Sequence, residues 1–364
     1  MKVSAVLSEI LEGRRMQPEE FLFLFYEADL FDLAQAASRV RDRLFPNNLV
    51  TFIIDRNINY TNVCSCGCRF CAFYRPPGSE DGYVITEDEL FVKIREALDL
   101  GATQVMIQGG LHPELDVSFF EKMFRSIKDN FNITVHSLSA PEIAHIAKVS
   151  GLTTRETLQR LVAAGLDSLP GGGAEILHDE VRYFISPNKI KSQEWLHIME
   201  EAHEIGLKTT ATMMMGSVEV PRHRLAHLEA IRSLQDRTGG FRAFILWTYQ
   251  PGNNELMGSK VTSLEYLRTL ALSRLYLDNI RHIQGSWVTQ GEHVGQLSVF
   301  FGADDLGSIM IEENVVRATG LSYKMSRERM IEIIRKTGKT PALRDTAYNV
   351  LEVYGEPKRG ERER

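Results

Sequence analysis

The stretch Cys64-Ser65-Cys66-Gly67-Cys68-Arg69-Phe70-Cys71 holds all four cysteines of a 364-residue chain. Cys64, Cys68 and Cys71 follow the spacing C-x3-C-x2-C, with an aromatic residue directly before the last cysteine. Thiolates in such a run are typical ligands of an iron–sulfur cluster, and a [4Fe–4S] cluster normally takes four cysteines. A set of three leaves one iron open to a small molecule. The stretch therefore predicts a reactive cluster rather than one that only stores electrons.

Zinc and disulfides are the two alternative uses of these cysteines. Structural zinc takes four ligands in a closed tetrahedron. Cys66 as the fourth ligand would be cramped, and the stretch holds no histidine and the chain no second cysteine pair. Disulfides within eight residues would constrain almost none of the unfolded chain. We interpret Cys66 as an extra thiol beside the cluster, not as a ligand.

Composition and charge are those of a soluble globular protein, with 43% hydrophobic and 25% charged residues. A net charge of -6 without a long basic run argues against nucleic-acid binding. The first 15 residues lack the apolar core of a signal peptide, and no run of about 18 apolar residues predicts a membrane span. Clustered thiols suit a reducing compartment, so we expect a cytoplasmic protein.

Strand-like and helix-like patterns alternate along most of the chain. Helices are predicted to end at Gly101, Gly165 and Gly206, and a strand-like run follows each glycine at once. Eight strands are predicted, over residues 51–54, 103–107, 133–138, 166–169, 208–213, 242–249, 279–284 and 296–301. Strands that alternate with helices form a parallel sheet, so we expect an α/β fold, a closed (β/α)8 TIM-type barrel.

Three segments are predicted along the chain. Residues 1–48 form an N-terminal helical cap, and residues 49–318 form the barrel. Residues 319–364 form a helical C-terminal extension that ends in a charged tail over residues 356–364.

Polar residues that follow the predicted strands fall at one rim of such a barrel, where barrel enzymes carry their chemistry. We expect the cysteine loop to share this rim with Gln108, Gly109, Gly110, Glu175, Gly216, Glu219, Asp304 and Asp305. Glu312-Glu313 are predicted to begin a helix that closes over the rim. His223 and His227 lie four residues apart but lack the acidic partner of an H-E-x-x-H motif, so we interpret them as solvated helix surface.

The cysteine spacing, with Phe70 before the last cysteine, resembles the signature of radical S-adenosylmethionine (SAM) enzymes. In that family the open iron binds SAM, and an electron from the cluster releases a 5'-deoxyadenosyl radical that takes a hydrogen atom from the substrate. The resemblance implies a [4Fe–4S] cluster on Cys64, Cys68 and Cys71, SAM as a second cofactor and an external electron donor.

Two further motifs bear on SAM. Gln108-Gly109-Gly110 resembles the G-G-E element that meets the SAM amino group, with glycines that let the backbone approach a ligand. Gly216 and Glu219 keep the polar pattern of the G-x-I-x-G-x-x-E element that packs the adenine. Together with Glu175, beside the triple glycine at 171–173, these residues are the predicted cofactor-binding set.

Longer stretches resemble the radical SAM enzymes of the futalosine route to menaquinone. They lie at 57–64, 71–75, 166–177, 250–253, 286–291 and 302–316. Within that group, Tyr74-Arg75 and the stretches 287–291 and 311–316 favour the enzymes that cyclise dehypoxanthine futalosine over the sibling aminofutalosine synthases. Cys66 and Ser217 depart from the pattern, which has a non-cysteine residue and a histidine there.

The resemblance implies a cyclisation of dehypoxanthine futalosine. A hydrogen atom leaves the ribose, the carbon radical adds to the benzoate ring, and the ring radical then loses an electron and a proton. A benzoate carboxylate favours a bidentate arginine, for which Arg75 and Arg317 are the candidates. Asp304, Asp305 and Glu313 are the candidate bases. A non-catalytic iron–sulfur carrier would leave the glycine-rich rim unexplained, and sulfur insertion would need a second cysteine set.

Overall fold

One strand path at residues 49–59 organises the sheet. In the computed structural model, which describes residues 1–256 and 258–355, the path is divided at Ile54 into β1 (Leu49–Ile53) and β2 (Asp55–Asn59). Seven strands follow in the same direction: β3 (Gln104–Gln108), β4 (Thr134–Ser137), β5 (Ser168–Leu169), β6 (Lys208–Met215), β7 (Phe241–Thr248), β8 (His282–Gln284) and β9 (Asp305–Ser308). From β2 onward each strand pairs in parallel with the next.

The sheet closes because the first strand path has a neighbour on each side. β2 pairs with β3, and β1 pairs in parallel with β9. The amide of Ile309 donates to the carbonyl of Ile53 at 3.1 Å, and that of Ile311 donates to Asp55 at 3.1 Å. With β1 and β2 counted as one strand, these bonds complete the predicted eight-stranded barrel.

Outer helices surround the barrel, and three N-terminal helices pack on one of them. The N-terminal cap consists of α1 (Val3–Leu11), α2 (Pro18–Glu27) and α3 (Leu30–Leu44). The outer helices are α4 (Glu87–Asp99), α5 (Val117–Asn130), α6 (Ala140–Ser150), α7 (Thr154–Ala164), α8 (Asp179–Ile185), α9 (Ser192–Glu204), α10 (Pro221–Thr238) and α11 (Ser263–Tyr276). The cap packs on α11, where Phe21 meets Tyr276 edge-on with ring centroids 5.6 Å apart. The helices predicted for this segment are present, and its status as a separate cap stays a prediction.

The predicted eighth strand over residues 296–301 is wrong. This segment belongs to α13 (Glu292–Ser298) and a 3-10 turn at Val299–Phe301, which follow the short α12 (Trp287–Gln290). An apolar run of this length fits a helix as well as a strand, and periodicity alone cannot separate the two. The eighth strand is β9, so Asp304 and Asp305 lie where the strand begins, at the end of the barrel opposite the rim.

The C-terminal segment is only partly helical. It contains α14 (Arg327–Arg335), then β10 (Thr340–Arg344) in parallel with β1, and β11 (Val350–Val353) antiparallel to β10. The prediction of helix is confirmed for α14 and wrong for residues 340–353. The predicted charged tail at 356–364 lies outside the described residues, and the three-segment division stays a prediction.

Within the described ranges, no helix has the length and apolar character needed to cross a membrane.

Candidate functional site

The cysteine loop leaves the end of β2 and is fixed at both ends by backbone hydrogen bonds. The amide of Cys64 donates to the carbonyl of Arg75 at 2.8 Å, and the amide of Ser65 donates to Leu111 at 3.0 Å. Arg75 donates in turn to the carbonyl of Asn62 at 2.8 Å. The loop therefore lies against the segment that follows β3, at the predicted rim.

The four thiols are free, and two of them touch. Cys66 and Cys68 are buried with their sulfur atoms 3.5 Å apart, while Cys64 and Cys71 are half-buried. Contact with the Cys66 sulfur, together with the charge of Lys189, lowers the pKa of Cys68 to about 7. A thiolate is the form that binds metal, so Cys68 is prepared to act as a ligand.

A buried Lys189–Glu175 pair adjoins the thiols. The Lys189 Nζ lies 2.9 Å from Glu175 Oε1 and 5.2 Å from the centre of the Phe70 ring. Burial opposes the charge, but the Cys68 thiol and the Glu175 carboxylate raise the pKa of Lys189. In the described part of the chain, Glu175 Oε2 has no hydrogen-bond partner. Arg182 Nη1 lies 3.6 Å from this oxygen, beyond hydrogen-bond distance, so a buried acceptor next to the cysteine loop remains open to a ligand that carries N–H groups.

Two glycines allow the end of β3 to touch the cysteine loop. A Cβ atom on Gly110 would lie 2.1 Å from the Val63 carbonyl oxygen and 2.8 Å from Cys64 Cβ. One on Gly109 would lie 2.8 Å from the Tyr60 ring. Only glycine fits these two places. The structure thus brings the Gln108-Gly109-Gly110 element directly against the first cysteine.

Glu142 supports this contact from beneath. Its carboxylate accepts hydrogen bonds from Ser139 Oγ at 2.6 Å, the Tyr60 hydroxyl at 2.9 Å and the Gly109 amide at 3.1 Å. Burial outweighs these bonds and raises the pKa of Glu142 from 4.5 to about 7.

This raised pKa predicts that the protein becomes less stable as the pH rises from about 5 to about 8. A carboxyl group whose folded pKa exceeds its unfolded value stabilises the fold below the unfolded pKa, and that contribution is lost as the pH rises through about 7. Urea unfolding of the wild type and of Glu142→Gln at several pH values measures it. The difference in unfolding free energy should change by about 1–3 kcal/mol over this range. Parallel profiles would contradict the prediction, and the surface variant Glu80→Gln is the control.

A cavity of about 320 Å³ occupies the barrel interior. Gln108, Gly172 and Trp247 line it near the rim, and Arg242 and Tyr348 line it at the opposite end. Glu313 also lines the cavity, and its carboxylate accepts the backbone amides of residues 315–317 at 2.7–3.2 Å. The helix predicted to begin at Glu312-Glu313 is wrong, because only a 3-10 turn at Arg317–Thr319 follows before α14. Burial raises the pKa of Glu313. Of the predicted bases, Glu313 is the one that the structure brings to the cavity.

Asp55 is a cavity carboxylate that sequence reasoning missed. Its Oδ2 accepts from Gln104 Nε2 at 2.5 Å, whereas Oδ1 has no hydrogen-bond partner among the described residues. Burial raises the pKa of Asp55. The signal was present in the sequence, because Asp55, Asn57 and Asn59 alternate along one strand and so share a face. All three are buried, and Asp55 and Asn57 line the cavity.

Asp304 and Asp305 do not lie at the rim, so their predicted place is wrong. Asp305 is buried in a bidentate pair with Arg344, at 2.6 and 3.0 Å, and accepts from Thr51 Oγ1 at 2.6 Å. Asp304 pairs with Arg274 and lies 2.7 Å from His282 Nδ1. Burial opposes ionisation, but His282 and Arg274 together lower the pKa of Asp304. Both carboxylates are structural ion-pair partners at the base of the barrel.

The Arg75 side chain donates its hydrogen bonds to residues of its own loop. Its Nε donates to Asp81 at 2.5 Å and its Nη1 donates to the Tyr74 carbonyl at 3.0 Å, with 39% of the side chain exposed. Arg317, in a 3-10 turn at Arg317–Thr319, is exposed as well. The structure does not bring either arginine into the cavity wall.

Glu219 is bound by its own turn. Its carboxylate accepts from the amides of Gly216 at 2.6 Å and Ser217 at 2.8 Å, and it pairs with Arg224 at 2.8 Å. The φ of Gly216 is +88°, a left-handed conformation that favours glycine. Gly216 and Glu219 thus fix the backbone after β6, which is the part that a ligand at this place would meet.

The prediction that His223 and His227 are solvated is wrong. His227 is fully buried and accepts the Leu177 amide at 2.9 Å, and burial lowers its pKa to about 3. His223 is buried against His178, with ring centroids 4.5 Å apart. The adjacent arginines suggested a solvated face, but this face of α10 packs against the loop that follows β5.

Known proteins resemble this chain over almost its full length. Residues 58–231 match the radical SAM superfamily. A protein of Streptomyces coelicolor named cyclic dehypoxanthine futalosine synthase is 47% identical, over 97% of this chain and 90% of that one. The chain belongs to the radical SAM family. Residues 238–356 match the CofH/MqnC C-terminal region.

Other relatives define the branch of the radical SAM family. A Halalkalibacterium halodurans protein, also named cyclic dehypoxanthine futalosine synthase, is 40% identical over all of this chain and 99% of its own. An aminodeoxyfutalosine synthase of Thermus thermophilus is 36% identical, over 96% of each chain. The crystal structure of methylornithine synthase superposes with a TM-score of 0.74 at 17% identity, covering 93% of this chain and 97% of that one, and confirms the fold.

The site fits the cofactors of the radical SAM family, a [4Fe–4S] cluster and SAM. Three thiols lie on one anchored loop, and Glu175 Oε2, which accepts no hydrogen bond from the described residues, adjoins them. Backbone without side chains, at Gly109 and Gly110, faces the same loop. These are the donor types that an iron–sulfur cluster and an amino acid moiety require.

Proposed function

We propose that this radical SAM enzyme converts dehypoxanthine futalosine to cyclic dehypoxanthine futalosine in menaquinone biosynthesis. The observation that carries the proposal is full-length identity of 47% and 40% to two proteins of that name. The aminodeoxyfutalosine synthase, at 36%, supports the sibling reaction less well. Dithionite can stand in for the external electron donor, and the cytoplasm is the compartment that we propose.

In this proposal Cys64, Cys68 and Cys71 hold the cluster, with Cys66 as an extra thiol. SAM is held by Gln108, Gly109, Gly110 and Glu175, and the turn from Gly216 to Glu219 forms the adjacent wall. Together, cluster and SAM supply the one-electron chemistry that removes a hydrogen atom from the ribose.

The barrel residues position the substrate for an intramolecular bond. The barrel cavity of about 320 Å³ limits the conformations of the ribose and the aromatic ring. Held near-attack geometry is the main contribution that a protein can make to such a ring closure. Trp247, Trp287 and Ile245 are large cavity-lining side chains that restrict where the ring can lie.

Asp55 is the proton acceptor that we propose for the last step, with Glu313 as the alternative from sequence. A raised pKa suits a carboxylate that must take a proton near neutral pH. In the described part of the chain Asp55 Oδ1 has no hydrogen-bond partner of ordinary length, although Ser308 lies close enough to lower the pKa of Asp55, whereas the oxygens of Glu313 already accept backbone amides. Asp304 and Asp305 are engaged at the far end of the barrel.

Replacing this base should uncouple the reaction. Hydrogen removal precedes proton loss, so Asp55→Asn should still yield 5'-deoxyadenosine while cyclic product falls by about 100-fold. The ratio of the two products, measured by mass spectrometry, is the readout, with Glu313→Gln as the matched variant. An unchanged ratio in Asp55→Asn, or uncoupling in Glu313→Gln alone, would move the assignment away from Asp55.

Anaerobic turnover tests the proposed function itself. The reconstituted protein is incubated with SAM, dithionite and dehypoxanthine futalosine, and the products are read by mass spectrometry. A product two hydrogens lighter than the substrate, formed with 5'-deoxyadenosine, is expected. Formation of 5'-deoxyadenosine without that product would shift the function to a sibling substrate.

A further inference from the structure

Two cations line the barrel cavity among the described residues, and they differ in one respect. Arg344 is already neutralised by the bidentate contact with Asp305. Arg242, near the start of β7, has no carboxylate within ion-pair distance in the described part of the chain. Its Nη2 donates to Ser168 Oγ, and its Nε is buried without a hydrogen-bond partner. Arg242 is thus a cation of the cavity that lacks a counterion.

A buried cation without a counterion destabilises the folded protein. A buried charge is normally paired, and an unsatisfied buried N–H group costs about 1–3 kcal/mol. Burial, with the repulsion of Arg344, lowers the pKa of Arg242 to about 10 against the attraction of Tyr348 and Asp345. The lowered pKa shows that this site disfavours the charged guanidinium. A residue that destabilises the empty protein in this way is typical of a binding position, where a ligand supplies the missing partner.

The neighbours of Arg242 are arranged for an anion rather than for a second cation. Ser168 Oγ, which meets Arg242, also lies 2.8 Å from Nδ1 of His136, a residue of the cavity lining. Tyr348 lies at the same end of the cavity. Hydroxyl, imidazole and guanidinium groups from three strands and the C-terminal segment therefore converge on one place. The Arg242 guanidinium and the Tyr348 hydroxyl can donate hydrogen bonds to an oxygen anion, whereas the Ser168 hydroxyl already donates to the Lys208 carbonyl at 2.9 Å.

The cavity is deep enough for a long substrate that carries a carboxylate group at one end. Gln104 and Gln108 both line the cavity and lie four residues apart on β3, which spans about 13 Å along the strand. The SAM-facing residues lie at the Gln108 end, so the reacting ribose belongs there. The opposite end, where Arg242 lies, is the place for a group remote from the ribose.

We propose that Arg242 binds the benzoate carboxylate of the substrate at the floor of the barrel and so orients the aromatic ring toward the ribose. The proposal rests on the proposed function, since it takes dehypoxanthine futalosine as the ligand. It also replaces Arg75 and Arg317 as the cation for this carboxylate. The planar guanidinium fork can bind both carboxylate oxygens.

Equilibrium binding to the cluster-loaded protein, without reductant so that no turnover occurs, tests this assignment. The two probes are dehypoxanthine futalosine and its benzamide analogue, which keeps the shape but loses the charge. The wild type should bind the acid about 30-fold more tightly than the amide, in line with a charge-assisted bidentate contact. Arg242→Met should remove this preference, and Arg242→Lys should keep part of it.

Thermal unfolding separates a binding role from a structural one. Because no carboxylate of the described residues lies within ion-pair distance of Arg242, Arg242→Met should leave the melting temperature unchanged or raise it. The control Arg237→Met removes an exposed arginine on α10 and should change neither ligand preference nor turnover. A lowered melting temperature with equal weakening of acid and amide would overturn the proposal, as would a wild type that does not prefer the acid.

Failure of this proposal and failure of the proposed function give different results. A wild type that does not cyclise dehypoxanthine futalosine removes the proposed function. A wild type that cyclises it, together with an Arg242→Met variant that still prefers the acid to the amide, removes only the role of Arg242.

Discussion

Replacement of Cys68 by alanine is expected to abolish both the cluster and the formation of 5'-deoxyadenosine. Cys68 has the most acidic thiol of the loop, because the Cys66 sulfur contacts it and Lys189 places a positive charge nearby. It is also the central cysteine of the C-x3-C-x2-C spacing, so its loss leaves two separated ligands. After anaerobic reconstitution, the wild type should contain about four iron atoms per chain and the variant less than about one.

The matched control is Cys66→Ala, which removes a buried thiol 3.5 Å from the same sulfur. If Cys66 is not a ligand, this variant keeps its iron and its visible absorbance and still cleaves SAM. Loss of the cluster in Cys66→Ala with retention in Cys68→Ala would show that the ligand set has been assigned to the wrong cysteines.

The second large effect is on stability. Arg344→Met should lower the free energy of unfolding by about 3–5 kcal/mol, because it leaves the Asp305 carboxylate buried without its partner. Both oxygens of Asp305 bind Arg344, and the contact joins β10 to the start of β9. Urea unfolding followed by circular dichroism measures the loss.

A double variant identifies the cause. Arg344→Met with Asp305→Leu removes both charges, so it should recover much of the stability that the single change loses. A loss below about 1 kcal/mol in the single variant would show that the pair is not structural, and Asp305 would again be available for other roles.

The cysteine spacing and the glycines predicted the centre of the site because both signals are local. A ligand loop, a strand-ending glycine pair and a helix that stops at glycine depend on residues close in sequence. Gly110 illustrates this, since the sequence placed it near the cysteines and the structure shows that a Cβ atom would collide with Val63 there.

The parts that the sequence did not predict depend on distant partners. The mainly apolar run 296–301 is compatible with a strand or with a helix, and only its packing against distant residues decides between them. Asp305 meets Arg344 across 39 residues, so the location of this carboxylate changes when one strand is placed wrongly. In the sequence Arg242 is an ordinary strand residue. In the closed barrel it lines the cavity, and no carboxylate of the described residues forms an ion pair with it.

Transfer of deuterium from the substrate to SAM-derived product tests the central claim most directly. Dehypoxanthine futalosine deuterated in the ribose ring is turned over once under anaerobic, reducing conditions, and 5'-deoxyadenosine is examined by mass spectrometry. We expect one deuterium in 5'-deoxyadenosine for each cyclic product formed. Cyclic product accompanied by unlabelled 5'-deoxyadenosine, with all ribose deuterium retained, would contradict radical hydrogen removal from the ribose.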